Sequence, residues 1–279
     1  MYGSGNKKDD MFTIINTNAR SLCPKIQSFI DTFKEMDASL AICTETWLRD
    51  GAALDDDIDD LLHGAGIGFI PLNRKPAGGL SHGGVAIAYR AAIMSMKAIK
   101  LLPNPDDFEV LASIATLSGH SRKLITLAVY IPPGYAVGRG RACLSHVSES
   151  ILEVKRRYRE PYIVVAGDFN QWDVSAALED FIEIKEVNVG PTRNTTTIDR
   201  VFVSFPDRVM DFGTVPPLDV DPGQPGAPSD HRVAFAKADL KRLETFEWLT
   251  YKYLFYNEES VIKFGNYLEQ LSWLSLIHI

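Results

Sequence analysis

Two segments of this chain are apolar on both strand parities, and no other feature narrows its fold as much. Residues 124–130 read Leu-Ile-Thr-Leu-Ala-Val-Tyr and residues 162–167 read Tyr-Ile-Val-Val-Ala-Gly. Successive side chains of a strand point to opposite faces, so a strand apolar on both parities must be covered on both. Six more β-rich runs, at 12–16, 40–44, 85–89, 110–116, 200–204 and 233–236, read as strands. Helical spacing interrupts them twice. Pro24 stands where a first helical turn tolerates proline, with Ile26, Phe29, Ile30 and Phe33 behind it. Leu144, Val147, Ile151, Val154 and Tyr158 write a second amphipathic helix. Strands covered on both faces and alternating with helices predict a layered α/β protein.

The chain has 279 residues, which leaves one or two domains open. With 46% hydrophobic and 23% charged residues it has the material for a large core, which excludes a disordered or collagen-like chain. Its longest apolar runs fall far short of the roughly 18–20 residues of a membrane span, so no membrane partner is expected. Residues 1–10 are polar and charged, without the apolar stretch of a secretory signal, and read as a disordered or appended N-terminus. Three widely spaced cysteines, Cys23, Cys43 and Cys143, suit buried thiols in a reducing, intracellular compartment.

The net charge of −7 argues at first against a nucleic-acid partner, but its distribution is uneven. From Asp37 to His63 there are eight acids against Arg49 alone, and from Arg122 to Arg159 eight bases against Glu149 and Glu153. The basic stretch is either a face for a polyanion or a solvated helix end with two loops. Lys155, Arg156, Arg157 and Arg159 close the second helix, where the helix dipole alone accounts for cations.

Turn-rich stretches at 71–84, 103–107, 131–140 and 216–228 hold most of the prolines, and such loops on a sheet scaffold are where chemistry tends to sit. After Ala238 the character changes to an aromatic-rich linker, 247–256, and a helical pattern from Glu258 to about Leu274. No internal repeat is visible. Polar residues stand where the strands end: Asn18, Glu45, Tyr130, the pair Asp168 and Asn170, and Asp230 with His231 before the last strand. Each has an ordinary reading. Gly-Asp-Phe-Asn at 167–170 also suits an Asx-type turn, and Ser-Asp-His at 229–231 a capped turn. Together they make a kit for phosphodiester hydrolysis: oxygen ligands for a hard cation, a carboxylate to take a proton from water, and a histidine for a phosphate oxygen.

In order and type these motifs resemble the endonuclease/exonuclease/phosphatase superfamily over about residues 11–238. The elements are Asn16-Thr17-Asn18, Thr44-Glu45-Thr46-Trp47, Gly83-Gly84-Val85-Ala86, Val129-Tyr130-Ile131-Pro132-Pro133, Gly167-Asp168-Phe169-Asn170, Ile198-Asp199-Arg200-Val201-Phe202 and Ser229-Asp230-His231. Glu-Thr-Trp-Leu at 45–48, Tyr-x-Pro-Pro and Pro-Thr-Arg at 191–193 look most like the endonucleases of non-LTR (LINE-type) retrotransposons. The tail from Phe246 looks like the segment that leads toward a reverse transcriptase in such elements. No polymerase motif follows, so a fragment or truncated copy is expected.

The resemblance implies a four-layer α/β/β/α sandwich with its site at one end, Mg²⁺ (or Mn²⁺) as cofactor, DNA as substrate and a nuclear place of action. It implies Glu45, Asn18 and Asp230 around the metal, and Asp168 and Asn170 at the attacking water. It further implies His231 at the scissile phosphate, Asp199 orienting it, and Tyr130 nearby. Thr192, Arg193, Thr196 and Arg20 are the implied substrate contacts. Asp199 has the alternative of pairing only with Arg200, Tyr130 that of packing at its strand end, and Trp172 that of filling the core. The same fold also hosts phosphatases of lipid or inositol phosphates, and a decayed copy would be a binding module without activity.

Overall fold

The computed structural model describes residues 11–48, 53–73, 83–103, 105, 108–174 and 184–240. Residues 1–10, the linker and the helix expected over 258–274 lie outside them. In chain order the first half forms β1 (Phe12–Asn18), α1 (Ile26–Glu35), β2 (Leu40–Thr44), α2 (Ala53–Gly64), β3 (Ile67–Leu72), β4 (Val85–Arg90), β5 (Met94–Ile99) and β6 (Glu109–Leu117). There follow β7 (Lys123–Tyr130), α3 (Val137–Arg157), β8 (Tyr162–Asp168), β9 (Lys185–Val187), β10 (Asp199–Val203), β11 (Val209–Pro217) and β12 (Arg232–Ala238). No described helix is long and apolar enough to cross a membrane.

These strands make two sheets, in the orders β11-β12-β1-β2-β4-β3 and β5-β6-β7-β8-β10-β9. Both have one plan. A parallel pair joined by a crossover helix, β1-α1-β2 or β7-α3-β8, sits in the middle, and antiparallel strands flank it. The two halves share this plan without sharing a visible sequence repeat.

Burial parity explains the layers. Ile15, Ala41 and Cys43 join Ile26, Phe29, Ile30 and Phe33 of α1 in one outer core. Ile125, Leu127, Val129, Ile163 and Val165 join Val147, Ile151 and Val154 of α3 in the other. The opposite parities, Ile14, Leu40 and Ile42 in one sheet and Leu124, Ala128, Val164 and Ala166 in the other, are buried as well. They fill the space between the sheets, where β1 lies against β8 and β10 and β2 against β7. The fold is thus the expected α/β/β/α sandwich. Asn16 ties the layers together, its Nδ2 donating to the carbonyls of Gly167 (3.0 Å) and Arg200 (3.2 Å) across the interface.

All eight expected strands form, and the four that the sequence reading lacked, β3, β5, β9 and β11, are the outermost strands of the two sheets. The helix α2 was also unexpected. It runs through the acidic stretch, and among its described side chains Ile58 and Leu62, one turn apart, mark the buried side. The helix α3 starts at Val137, seven residues ahead of its first patterned leucine. Trp172 packs on Gly140 of α3 and belongs to the outer core.

Gly167, one residue before the end of β8, has φ +152°, and an added Cβ would stand 1.8 Å from the Val129 carbonyl oxygen of the neighbouring strand. Gly167→Ala must push β7 and β8 apart beneath the strand-end residues. It is expected to cost about 2–5 kcal/mol, read as a lower urea midpoint at unchanged slope.

Candidate active site

The topology brings the strand-end residues to one edge of the sandwich. Asn18 ends β1, Glu45 follows β2, Tyr130 ends β7 and Asp168 ends β8, all at C-terminal ends of parallel strands. Strand β10 runs antiparallel to β8, and β12 antiparallel to β1, so their starts, Asp199 and the residue before Arg232, arrive at the same edge. Tyr130, Asp168 and Asp199 are register partners across three adjacent strands.

Two carboxylates converge on one amide. Asn18 Nδ2 donates to Glu45 Oε1 at 2.8 Å and to Asp168 Oδ2 at 2.9 Å, while Asn18 Oδ1 accepts the Arg20 N–H at 3.1 Å. Tyr130 donates its hydroxyl to the same Glu45 oxygen at 3.1 Å. Burial, then the charges of Glu45 and Asp168, raise the Tyr130 pKa, so the phenol remains a donor. Burial, then the charge of Asp199, raises the Asp168 pKa against the opposing pull of His231, Asn18 and the Asn170 N–H. Two carboxylates beside one buried amide repel each other when both are ionised unless a cation is shared, and the oxygen-rich set of Glu45 and Asp168 suits a hard divalent ion. Asn18 presents its nitrogen to the carboxylates. It positions them, while its oxygen accepts the Arg20 N–H.

Glu45 is held by unusual backbone. Glu45 and Trp47 have φ of +49° and +53°, and the Thr46 and Trp47 N–H groups donate to the carbonyls of Gly84 and Gly83. Gly84 has φ +89°, and a Cβ there would meet the Thr46 hydroxyl at 2.6 Å. Its N–H donates to Glu109 Oε2 at 2.6 Å. Glu109, 4% exposed and the register partner of Tyr130, is a site-supporting acid that sequence reasoning missed. Its one signal was a glutamate directly before an apolar strand.

On the other side His231 Nδ1 lies 2.8 Å from Asp199 Oδ2, and both side chains are buried. Arg200 pairs instead with Asp173 and Glu186. Burial is the largest influence on His231 and favours the neutral ring. The hydrogen bond and charge of Asp199, with Asp168 and Asp230, outweigh it and raise the pKa. The sign follows: Asp199→Asn should lower the His231 pKa, because the amide no longer stabilises the imidazolium. NMR titration of the ring in both proteins checks this. Equal values would reduce Asp199 to a structural carboxylate.

The two small turns serve both of their readings. Asp168 Oδ1 accepts the Asn170 N–H at 2.9 Å, an Asx turn that also fixes Asn170, whose Nδ2 donates to the Ile131 carbonyl. Ser229 Oγ accepts the His231 N–H at 3.1 Å and donates to the Asn18 carbonyl at 2.6 Å. That capped turn locks the histidine loop onto β1, and the sequence reading gave Ser229 no role in the site.

Other expected residues stand elsewhere. Asp230 gives one oxygen to Arg20 (3.0 Å) and the other to Arg193 (2.7 Å), and lies 3.8 Å from His231 Nε2. Burial, the largest influence on it, raises its pKa, but His231 and the two arginines outweigh that and lower it. Both oxygens of Asp230, expected beside the metal, are engaged here by guanidinium groups. Thr192 is fully buried, and its hydroxyl accepts the N–H groups of Ile198 and Asp199, each at 3.1 Å. It supports Asp199 and cannot touch substrate. Thr196 is exposed but donates to the Arg193 carbonyl, so it shapes the turn that carries Arg193. Arg20 and Arg193, nearly half exposed, flank the histidine.

Among the described residues, the acidic and histidine side chains grouped within 4.8 Å of one another are Asp168, Asp199 and His231. His231 Nδ1 is already hydrogen-bonded to Asp199, and Asp199 is wholly buried, so the ion fits better on the part-exposed Glu45 side. The basic cluster stands far off. Because α3 returns antiparallel to β7, its last turn lies at the opposite end of the sandwich, roughly 30 Å from the site for 21 residues. There Arg156 and Arg157 pair with Glu153, and Arg157 also caps the carbonyls of Lys100 and Leu101.

Two facing mixed sheets, with paired carboxylates and an Asp–His dyad at one edge, make the architecture and the side-chain set of a hydrolase of phosphate esters. The chain belongs to the Endonuclease/Exonuclease/phosphatase family, whose sequence model matches residues 4–231. No curated protein matches it by sequence. A family protein of Bacteroides thetaiotaomicron has a similar structure, with TM-score 0.62 and 16% identity over 81% of this chain and 97% of that one. An AP endonuclease from Archaeoglobus fulgidus has TM-score 0.56 and 17% identity, covering 82% and 100%. TDP2 of D. rerio, complexed with a single-strand DNA product, has TM-score 0.56 and 15% identity, covering 82% and 99%.

Proposed function

We propose that this protein is a magnesium-dependent DNA endonuclease of the non-LTR retrotransposon type, which nicks a strand and leaves a 3′-hydroxyl. The observation that carries the reading is the convergence of Glu45 and Asp168 on Asn18 beside the Asp199–His231 dyad. A divalent cation held by Glu45, Mg²⁺ or alternatively Mn²⁺, supplies charge neutralisation at the scissile phosphate. Asp168 takes or orients the proton of the attacking water, with Asn170 beside it. His231, whose charged form Asp199 favours, faces the charge that grows on the phosphate, and Tyr130 adds a phenolic donor. Arg20 and Arg193 hold flanking phosphates, which each contacts as a charged fork.

The retrotransposon branch rests on the sequence motifs at 44–48, 129–133 and 191–193. Residues 11–238 then form the endonuclease domain, 239–279 the lead toward a reverse transcriptase, and the place of action is the nucleus. The test is conversion of supercoiled plasmid to open circle with Mg²⁺ and in excess chelator, followed by polymerase extension from the nick. Extension confirms the 3′-hydroxyl. A protein inert on plasmid that releases phosphate from inositol or lipid phosphates would overturn the nuclease reading, and one inert on both would be a binding module.

A further inference from the structure

We infer that Lys25, a buried lysine with no part in the chemistry above, is a positioning residue that sets the affinity of the Glu45 side for its divalent cation, an inference that rests on the metal-dependent reading above. Lys25 stands directly before α1 and is 1% exposed. A lysine is seldom buried so completely unless its ammonium is engaged. Its Nζ donates to the Arg20 carbonyl at 2.8 Å and to the Ser21 carbonyl at 3.2 Å. Those two residues have φ of +43° and +76°, in the left-handed region that non-glycine residues hold only where their surroundings impose it.

The lysine acts through two peptide groups. The Arg20 carbonyl and the Ser21 N–H belong to one planar trans unit and point in opposite directions. Lys25 holds the oxygen end of that unit, and its other end, the Ser21 N–H, donates to the Glu45 carbonyl at 2.9 Å. The next unit repeats the arrangement: Lys25 holds the Ser21 carbonyl, and the Leu22 N–H donates to the Thr46 carbonyl at 3.0 Å. A cation on the oxygen of a peptide group polarises it and strengthens the bond that its N–H donates. Glu45 itself has φ +49°, so the strained backbone that aims its carboxylate is braced by one ammonium through the Arg20 loop, and by the glycine pair through Thr46 and Trp47. The same loop orients the neighbouring groups. The Arg20 N–H donates to Asn18 Oδ1, and its guanidinium pairs with Asp230.

The test compares the parent with Lys25→Met, which has a similar volume and no donor, and with Lys25→Gln, which keeps a shorter one. Electron paramagnetic resonance of free Mn²⁺ should show the dissociation constant raised roughly 10-fold in Lys25→Met, with Lys25→Gln in between. Plasmid nicking should need correspondingly more Mg²⁺ for half its maximal rate, while the rate at saturating Mg²⁺ and DNA stays within about threefold of the parent. A lysine that only held the fold together would leave the Mg²⁺ dependence where it was. Amide hydrogen exchange reads the same contacts without any metal: Ser21 and Leu22 should exchange about tenfold faster in Lys25→Met. If Lys25→Met does not fold, Lys25→Gln carries the same comparisons. A parent that binds no Mn²⁺ overturns the metal reading and this inference with it. A parent that binds Mn²⁺, beside variants of unchanged affinity or unchanged exchange, overturns the role of Lys25 alone.

Discussion

Glu45→Ala should leave a folded protein whose nicking rate falls about 10³-fold, with no rescue by added Mg²⁺. The carboxylate is the one acidic group of the site that is part-exposed and reached by both the Asn18 amide and the Tyr130 phenol. Removing it deletes the charge that anchors the cation and leaves those two donors facing water, which solvates them at little cost. The Glu45 backbone is held by the Ser21 N–H, which donates to its carbonyl, and by the neighbouring bonds of Thr46 and Trp47 to the glycine pair. None of these depends on the side chain. Circular dichroism and a urea melt matching the parent, beside a lost plasmid-nicking rate, check the prediction. Parent-like nicking in excess chelator would remove the metal mechanism.

Asp168→Asn is the second large effect, and its signature differs. Turnover should fall about 10²- to 10⁴-fold with little change in DNA affinity, because in the proposed reaction the group acts on the proton of the attacking water and not on the bound backbone. The carboxyl is almost fully buried, and burial together with Asp199 raises its pKa. An acid with a raised folded-state pKa binds more protons folded than unfolded, so stability falls as pH rises from the ordinary carboxylate range through the raised value. The neutral amide avoids that loss. Both carboxylate oxygens accept, one from the Asn170 N–H and one from the Asn18 amide, and the variant's amide can accept only one of these, so the two effects on stability oppose each other and the lost activity is the signature to read. A mutant whose defect lay wholly in DNA affinity would make Asp168 a binding residue.

Asp168 is a buried group that the proposed chemistry uses directly. Ser229 and Thr192 show the other side of the same design. Neither needs to touch substrate, yet each fixes a reacting group through backbone hydrogen bonds. Such supports leave little trace in a sequence, since a buried serine or threonine hydroxyl reads like any turn residue.

What the sequence determined by itself was the interior of the two sheets. Eight strands with apolar faces, two amphipathic helices and the polar residues at the strand ends were legible because burial on both faces demands an unbroken apolar run, and the chain must then turn at a polar residue. What only the tertiary structure decided lies where burial is partial or partners are distant. The edge strands β3, β5, β9 and β11 carry a weak pattern, and β11 even holds Pro216 and Pro217, which an edge tolerates and a central strand does not. The acidic run became α2 because two apolar side chains one turn apart found a core to bury in. Charge assignments were the least legible. Asp230 is held by Arg20 and Arg193 from separate loops, and the basic end of α3 lies away from the site because a crossover helix must run back along its sheet. Local sequence names the charged groups, but which of them meet is set by the packing of distant segments.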